Sequence, residues 1–381
     1  MITQVPFYRH QLGEIERHAI SEALGQEILT SGKLGKSVEA QMCTFFDVKH
    51  SKLVNSWTNG YLAVLLALKI GPGDEVIIPS MTFIACANMV ELLGAKVVFC
   101  DVDPETLLIT VENIEPFVTP KTKAVIAVHL YGQMVNTKDL FSFCHERSIT
   151  LIEDAAHSFE STYDDYRPGK YSDCAIFSFY ATKNITSGEG GLVISNNSEL
   201  MDILNQTVLH GMSAGAADRF NQGFYRHWDM QRLGVKANLP DILASLLPSQ
   251  VLGAYQKLDL RLKLVENYDK FFETTSVILP KRHNRGIHAH HLYPLWVPPE
   301  KRDSILQILG ENKIGATVNF RPVHEMSFYR EKHKVGSKKL TVSSNWGAGV
   351  LSIPLYPTLS NEEQEYVIQI FADKVLSELS E

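Results

Sequence analysis

The sequence predicts an α/β fold built on a mostly parallel sheet. Three observations carry this. Between residues 55 and 200, short runs rich in Val and Ile recur, continuously apolar as strands buried on both faces are. Helical patterns lie between several of them, the alternation a parallel sheet requires. Asp154, His157 and Ser178 fall at or just past the carboxyl ends of those runs, where ligands sit in such sheets.

The elements follow in order. NSWTNG (55–60) opens an apolar helix, YLAVLLALKIG. EVIIP (75–79) is a strand, and residues 82–93 form a helix that Gly94 stops. KVVFCDVD (96–103) and KAVIAVHLYG (123–132) are strands, followed by an amphipathic helix over 138–147. ITLIEDAAHS (149–158), DCAIFSF (173–179) and GGLVIS (190–195) complete the series. GMSAGAADRFNQGFYRHWDMQRLGVK (211–236) reads as a loop near the site. Residues 240–275 read as one long helix with Pro240 near its start, which Pro248 should kink or interrupt. The last hundred or so residues mix strands and helices. The expected division is a large domain over 1–240, with an N-terminal helical segment, and a smaller α/β domain over 241–381.

Composition narrows the function. The chain has 381 residues, 45% of them hydrophobic, enough for a large core. No apolar stretch is long enough for a membrane span, and the N-terminus lacks an export pattern, so a soluble, cytoplasmic protein is expected. The five cysteines are scattered without a CxxC pair, so free thiols are expected, with no disulfide framework and no metal site. A net charge of −7 argues against a general nucleic-acid binder, though a local basic patch suffices for an anionic substrate.

Four clusters carry candidate chemistry. Ser56 and Thr58 stand at a helix start, where they either cap it or help hold an anion. Asp154 closes a buried strand, where a carboxylate needs a partner: a structural ion pair or a strand-end cap, or a protonated ring nitrogen of a ligand. His157, three residues on, can bond the same ligand. Lys183 lies between two buried runs and before a glycine-rich turn, Gly188-Glu189-Gly190-Gly191. It is either a solvated lysine at a bend or an amine in a dry pocket, able to form a Schiff base. The fourth is LGVKANLPDI (233–242), where Asn238 reads as a capping residue.

Taken together, TSGKLGKSVEA, PSMTFIACAN, VHLYGQMVN, IEDAAHS, SFYATKNITSGEGG and SIPLYPTLS resemble, in order from about 30 to 375, the DegT/DnrJ/EryC1/StrS sugar aminotransferases. GVKANLPDI and NFRPVHEMSFYRE look most like the subgroup that aminates lipopolysaccharide and lipid A sugars. The resemblance implies the fold of the fold-type I enzymes that use pyridoxal 5′-phosphate (PLP). It implies that Lys183 carries PLP as an internal aldimine, with a pyridoxamine form as intermediate. Asp154 would pair with the pyridine nitrogen, and His157 would stand near the phenolic oxygen. Ser178 and Ser56-Trp57-Thr58 would hold the phosphate, and Phe83 would stack on the ring. Asn238 would reach the phosphate of a partner subunit, so a homodimer is implied.

The implied reaction takes the amino group of L-glutamate, releases 2-oxoglutarate and aminates a keto-sugar, most simply a nucleotide-linked keto-deoxysugar. Substrate candidates are Arg226 and His227, with Arg219, Tyr225 and Trp228 in the same loop, and Arg321 and His324 of NFRPVH. A free 8-keto-octulosonic acid is an alternative substrate. Trp57 departs from the family, which often has glycine there, and either crowds the phosphate or turns away to pack elsewhere. A non-catalytic regulator or scaffold of the same fold is expected to carry an added DNA-binding domain or to lack Lys183 or Asp154.

Overall fold

A computed structural model describes residues 4–213, 227–334 and 339–380. Its centre is a seven-stranded sheet in the order β1-β7-β6-β5-β4-β2-β3. The strands are β1 (His50–Val54), β2 (Glu75–Pro79), β3 (Lys96–Cys100), β4 (Thr122–Val128), β5 (Thr150–Asp154), β6 (Cys174–Ser178) and β7 (Gly191–Ser195). β3, β2, β4, β5 and β6 pair in parallel, and β7 runs antiparallel to both β6 and β1. Every apolar run read as a strand is one. The longer ones end early because their last residues turn: Leu130–Gly132 is a 3-10 turn, and the chain leaves β5 at Asp154. β1 escaped the sequence pattern because HSKLV is half polar and only Leu53 and Val54 are buried.

β2, β4 and β5 are almost wholly buried, as covered parallel strands must be. The helices Trp57–Ala67, Ala85–Leu92 and Thr137–His145 pack around them. The expected long helix after residue 240 is three pieces, Asp241–Ala244, Leu247–Leu252 and Ala254–Phe272. Pro248 is the second residue of the second piece, in the first turn where a missing N–H costs nothing, and Gly253 separates the second from the third. The long third piece packs with a two-stranded antiparallel sheet, β8 (Tyr293–Trp296) and β9 (Val350–Ile353), in a separate apolar cluster that also holds Val5. Among the described residues, no helix is long and apolar enough to cross a membrane.

Candidate active site

A cavity of about 400 Å³ opens at the carboxyl ends of β5 and β6. Ser56, Trp57, Thr58, Phe83, Asp154, His157, Ser178 and Lys183 all line it, although they come from five separate stretches of chain. The sheet register explains the meeting. Asp154 pairs beside Ile176 on β6, and Ser178 at the end of β6 pairs with Gly191 on β7. Gly191 must be glycine: a Cβ there would lie 2.9 Å from both the Ser56 carbonyl carbon and the Trp57 nitrogen.

Ser56 caps the helix Trp57–Ala67, its hydroxyl accepting from the Asn59 N–H at 3.1 Å. The first N–H groups of that helix lack partners along the helix, and the dipole makes its start attractive to an anion. Trp57 turns its ring into the core, 7% exposed, and donates Nε1–H to the Ile176 carbonyl at 3.1 Å. The ring therefore leaves the helix start open, which resolves the conflict with glycine at this place.

Asp154 is buried. It accepts from the Ala156 N–H at 3.1 Å and from the Cys86 thiol at 3.4 Å. Burial pushes its carboxyl above the usual range, while the Ala156 N–H and the Lys183 charge pull it back. A carboxylate in that position gains from a cationic partner. Glu153, next to it and fully buried, faces elsewhere and bonds His129 Nε2 at 2.6 Å and the Gly169 N–H at 2.7 Å.

His157 accepts the Tyr131 N–H on Nδ1 at 3.3 Å, so its own proton sits on Nε2. Burial, with the Lys183 charge, pushes its pKa well below the usual imidazole range, so the ring is neutral. It offers one N–H donor to an oxygen in the cavity. Tyr131 is followed by Gly132 (φ 104°), where a Cβ would meet the His290 nitrogen at 2.9 Å and the His157 oxygen at 3.0 Å. That close approach lets residues 289–291 run alongside, the His291 N–H donating to the Tyr131 carbonyl at 3.0 Å.

Lys183 is half-buried. Burial lowers its pKa from 10.5 to about 8, against the opposing pull of Asp154. At neutral pH an appreciable fraction of the amine is free of its proton. Its Nζ lies 3.5 Å from His291 Nε2.

Other candidates lie elsewhere. Asn238 is outside this chain's cavity and donates to Ser31 Oγ at 2.7 Å, its Oδ1 buried without a partner among the described residues. The structure does not bring Arg321 or His324 to the cavity. Arg321 is exposed and donates to the Glu325 carbonyl at 3.1 Å, while His324 is 1% exposed and bonds Ser80 at 2.6 Å and Ser344 at 3.2 Å. The same segment reaches the cavity instead through Asn319, whose Oδ1 is a buried acceptor without a partner among the described residues, and Phe320, 6.2 Å from the Phe83 ring. His227 is exposed, its ring 6.2 Å from that of Trp228. Arg219, Tyr225 and Arg226 lie outside the described residues. Sequence reasoning passed over His291, Asn319 and Phe320. The run His288-Ala289-His290-His291 ahead of a strand was a signal for the first.

These residues fit PLP. A helix start with Ser56, Thr58 and Ser178 suits a phosphate, buried Asp154 suits a protonated ring nitrogen, and an amine of lowered proton affinity suits a carbonyl. Among the described residues no cluster of His, Cys, Asp or Glu is placed to hold a metal ion.

Comparison with known proteins agrees. Residues 10–372 match the DegT/DnrJ/EryC1/StrS aminotransferase family. The chain is 33% identical over 377 residues to the spore coat polysaccharide biosynthesis protein SpsC of Bacillus subtilis (strain 168), covering 97% of each. It superposes on Spr1654 from Streptococcus pneumoniae in its PMP form with a TM-score of 0.91 at 26% identity, covering 98% of this chain and 99% of that one. The PLP form of the same protein gives 0.90. PseC of Helicobacter pylori, an aminotransferase involved in the biosynthesis of pseudoaminic acid, shares the fold at TM-score 0.90 and 24% identity, covering 99% of this chain and 100% of that one. The chain belongs to the DegT/DnrJ/EryC1/StrS aminotransferase family and is a PLP-dependent sugar aminotransferase.

Proposed function

We propose that this enzyme moves the amino group of L-glutamate onto a nucleotide-linked keto-deoxysugar destined for a surface polysaccharide of the lipopolysaccharide kind. The observation that carries the reading is that the Lys183 amine and the Asp154 carboxylate share one cavity with the open helix start at Ser56. The name of the Bacillus subtilis relative, a spore coat polysaccharide protein, supports a surface polysaccharide as the destination.

The residue roles are those the family resemblance implies, and their chemistry supports them. PLP, when bound, supplies an electron sink for chemistry at the carbon bearing nitrogen. Asp154 holds the ring nitrogen and keeps it protonated. His157 gives its Nε2–H to the phenolic oxygen. Ser56, Thr58, Ser178 and the N–H groups at the helix start hold the phosphate, and Phe83 covers the ring. Lys183 anchors the group and, when freed by an amino donor, takes and returns a proton. By likeness to the family, Asn238 serves the phosphate of a second copy of the chain, so the working unit is a homodimer; its place outside its own cavity fits that role.

The test is the visible absorption spectrum of the purified protein, before and after L-glutamate, with Lys183→Ala beside it. The expected result is a yellow band that glutamate bleaches and that a keto-sugar then restores. In the variant, borohydride should fix no cofactor to the chain. A wild-type protein that stays colourless with added PLP overturns the reading. A band restored by a free keto-octulosonic acid but by no nucleotide-linked keto-sugar overturns the substrate class.

A further inference from the structure

Behind Lys183 runs a buried chain of polar groups that the roles above leave unused. Arg261 is 1% exposed and Glu160 is fully buried. The guanidinium donates to Glu160 Oε1 at 2.7 Å and to the Ala289 carbonyl at 3.1 Å. Asn184 donates its amide to Glu160 Oε2 at 2.8 Å and to the same Ala289 carbonyl at 3.3 Å. Turning that amide over would set its oxygen against a carboxylate and a carbonyl, so its orientation follows from its partners. The Asn184 oxygen is left facing His291 Nδ1 at 3.0 Å.

The tautomer of His291 follows. An amide oxygen only accepts, so Nδ1 carries the proton and Nε2 carries the lone pair. The group 3.5 Å from Nε2 is the Lys183 amine, which must be the donor of that contact. The contact is long, as such bonds commonly are before a ligand is bound. The ring is neutral, because burial and the charges of Lys183 and Arg261 push its pKa well below the usual range, with His157 acting the same way.

Resting on the assignment of Lys183 as the cofactor lysine, we propose that His291 is a positioning residue for its amine. Held as the Nδ1–H tautomer by Asn184, and through it by the Glu160–Arg261 pair, it takes one amine hydrogen on Nε2. With one N–H held on His291, the amine lone pair faces away from that ring, which lines the cavity beside it. When the amine takes up a proton, the same acceptor holds the ammonium, so the group does not have to turn between its two states. Without that acceptor the amine rotates freely about its last bond, and only a fraction of its orientations can react.

The experiment compares wild type with His291→Phe, His291→Gln and Asn184→Leu. Phe packs a ring but accepts nothing; Gln offers an amide oxygen as acceptor; the Asn184 variant keeps the imidazole but frees its tautomer. Two rates are read. One is the attachment of PLP to Lys183 of the apo protein, followed by borohydride trapping and mass measurement. The other is the bleaching of the visible band by L-glutamate.

His291→Phe should slow both by up to about tenfold, the worth of one hydrogen bond between neutral groups, without weakening glutamate binding. His291→Gln should recover most of the loss, and Asn184→Leu should fall between. Equal losses in Phe and Gln, or wild-type rates in Phe, overturn the proposal. If His291→Phe does not fold, Asn184→Leu decides, and wild-type rates there overturn it. A wild-type protein that never attaches PLP at Lys183 overturns the underlying assignment instead.

Discussion

Trp57 donates its indole N–H to the carbonyl of Ile176, 3.1 Å away, and so ties the start of one helix to the middle of β6. The ring also packs on Tyr61, with 4.9 Å between centroids. A bulky residue in the turn proposed to hold the phosphate is thereby made compatible with the site. Trp57→Phe should keep PLP affinity within about twofold, since only the backbone faces the anion, and should lose about 1 kcal/mol of stability for the missing hydrogen bond. Urea unfolding and PLP titration check the two halves separately.

The lowered proton affinity of Lys183 gives two pH signatures. Attachment of PLP to the apo protein needs the free amine, so its rate should rise with pH and level off above about 8. The stability effect has the opposite role. Between about 8 and the ordinary value of 10.5 the unfolded chain holds this proton and the folded one does not, so stability rises with pH there. Below that window the cost of burial is fully present. Apo Lys183→Met should therefore be more stable than wild type at pH 7 by about 2 kcal/mol, reduced from the full shift because the cavity wets the amine. The gap should narrow steadily between pH 8 and 10.5 in denaturant titrations.

Asp154→Asn keeps the shape and removes the charge. The cofactor should still attach at Lys183, while kcat/KM should fall by roughly 10²–10³-fold, the scale of a preorganised electrostatic contact. An unchanged kcat/KM would mean that the ring nitrogen is held in another way.

Breaking the Arg261–Glu160 pair leaves a charge without its partner in the core. Arg261→Met should cost about 3 kcal/mol or more. The double variant with Glu160→Met should recover part of that loss, because both charges are then gone. Urea midpoints of the three proteins measure this.

His324 is bonded through both ring nitrogens to Ser80 and Ser344. His324→Leu strands two hydroxyls and should cost about 1–3 kcal/mol. The KM for the keto-sugar should stay within about threefold of wild type, because the ring does not reach this chain's cavity. A selective rise in KM would restore His324 to the substrate site.

Much of the centre was legible in the sequence. β2 to β7 announced themselves because strands covered on both faces must be apolar throughout, and local composition records that burial directly. Asp154 and Lys183 stood out for the same reason: a charge in an apolar setting is costly and therefore visible. Ser56 at a helix start was visible through its capping chemistry, borne out by its bond to Asn59.

The rest is a matter of distance along the chain. β1 is an edge strand with polar residues, so its pattern carried no signal. Trp57 and Ile176 are 119 residues apart, and which way the indole turned depended on a carbonyl the local sequence does not specify. His291 and Asn184 are 107 apart and Arg261 and Glu160 101, and residues 289–291, which bring His291 to the first pair, lie along Tyr131-Gly132. The alternating α/β elements and the two ionisable groups of the cavity could be read along the chain, because burial and local geometry are written in neighbouring residues. How those groups are held emerged with the packing of the folded chain, because a hydrogen bond between distant segments leaves no periodic trace in either of them.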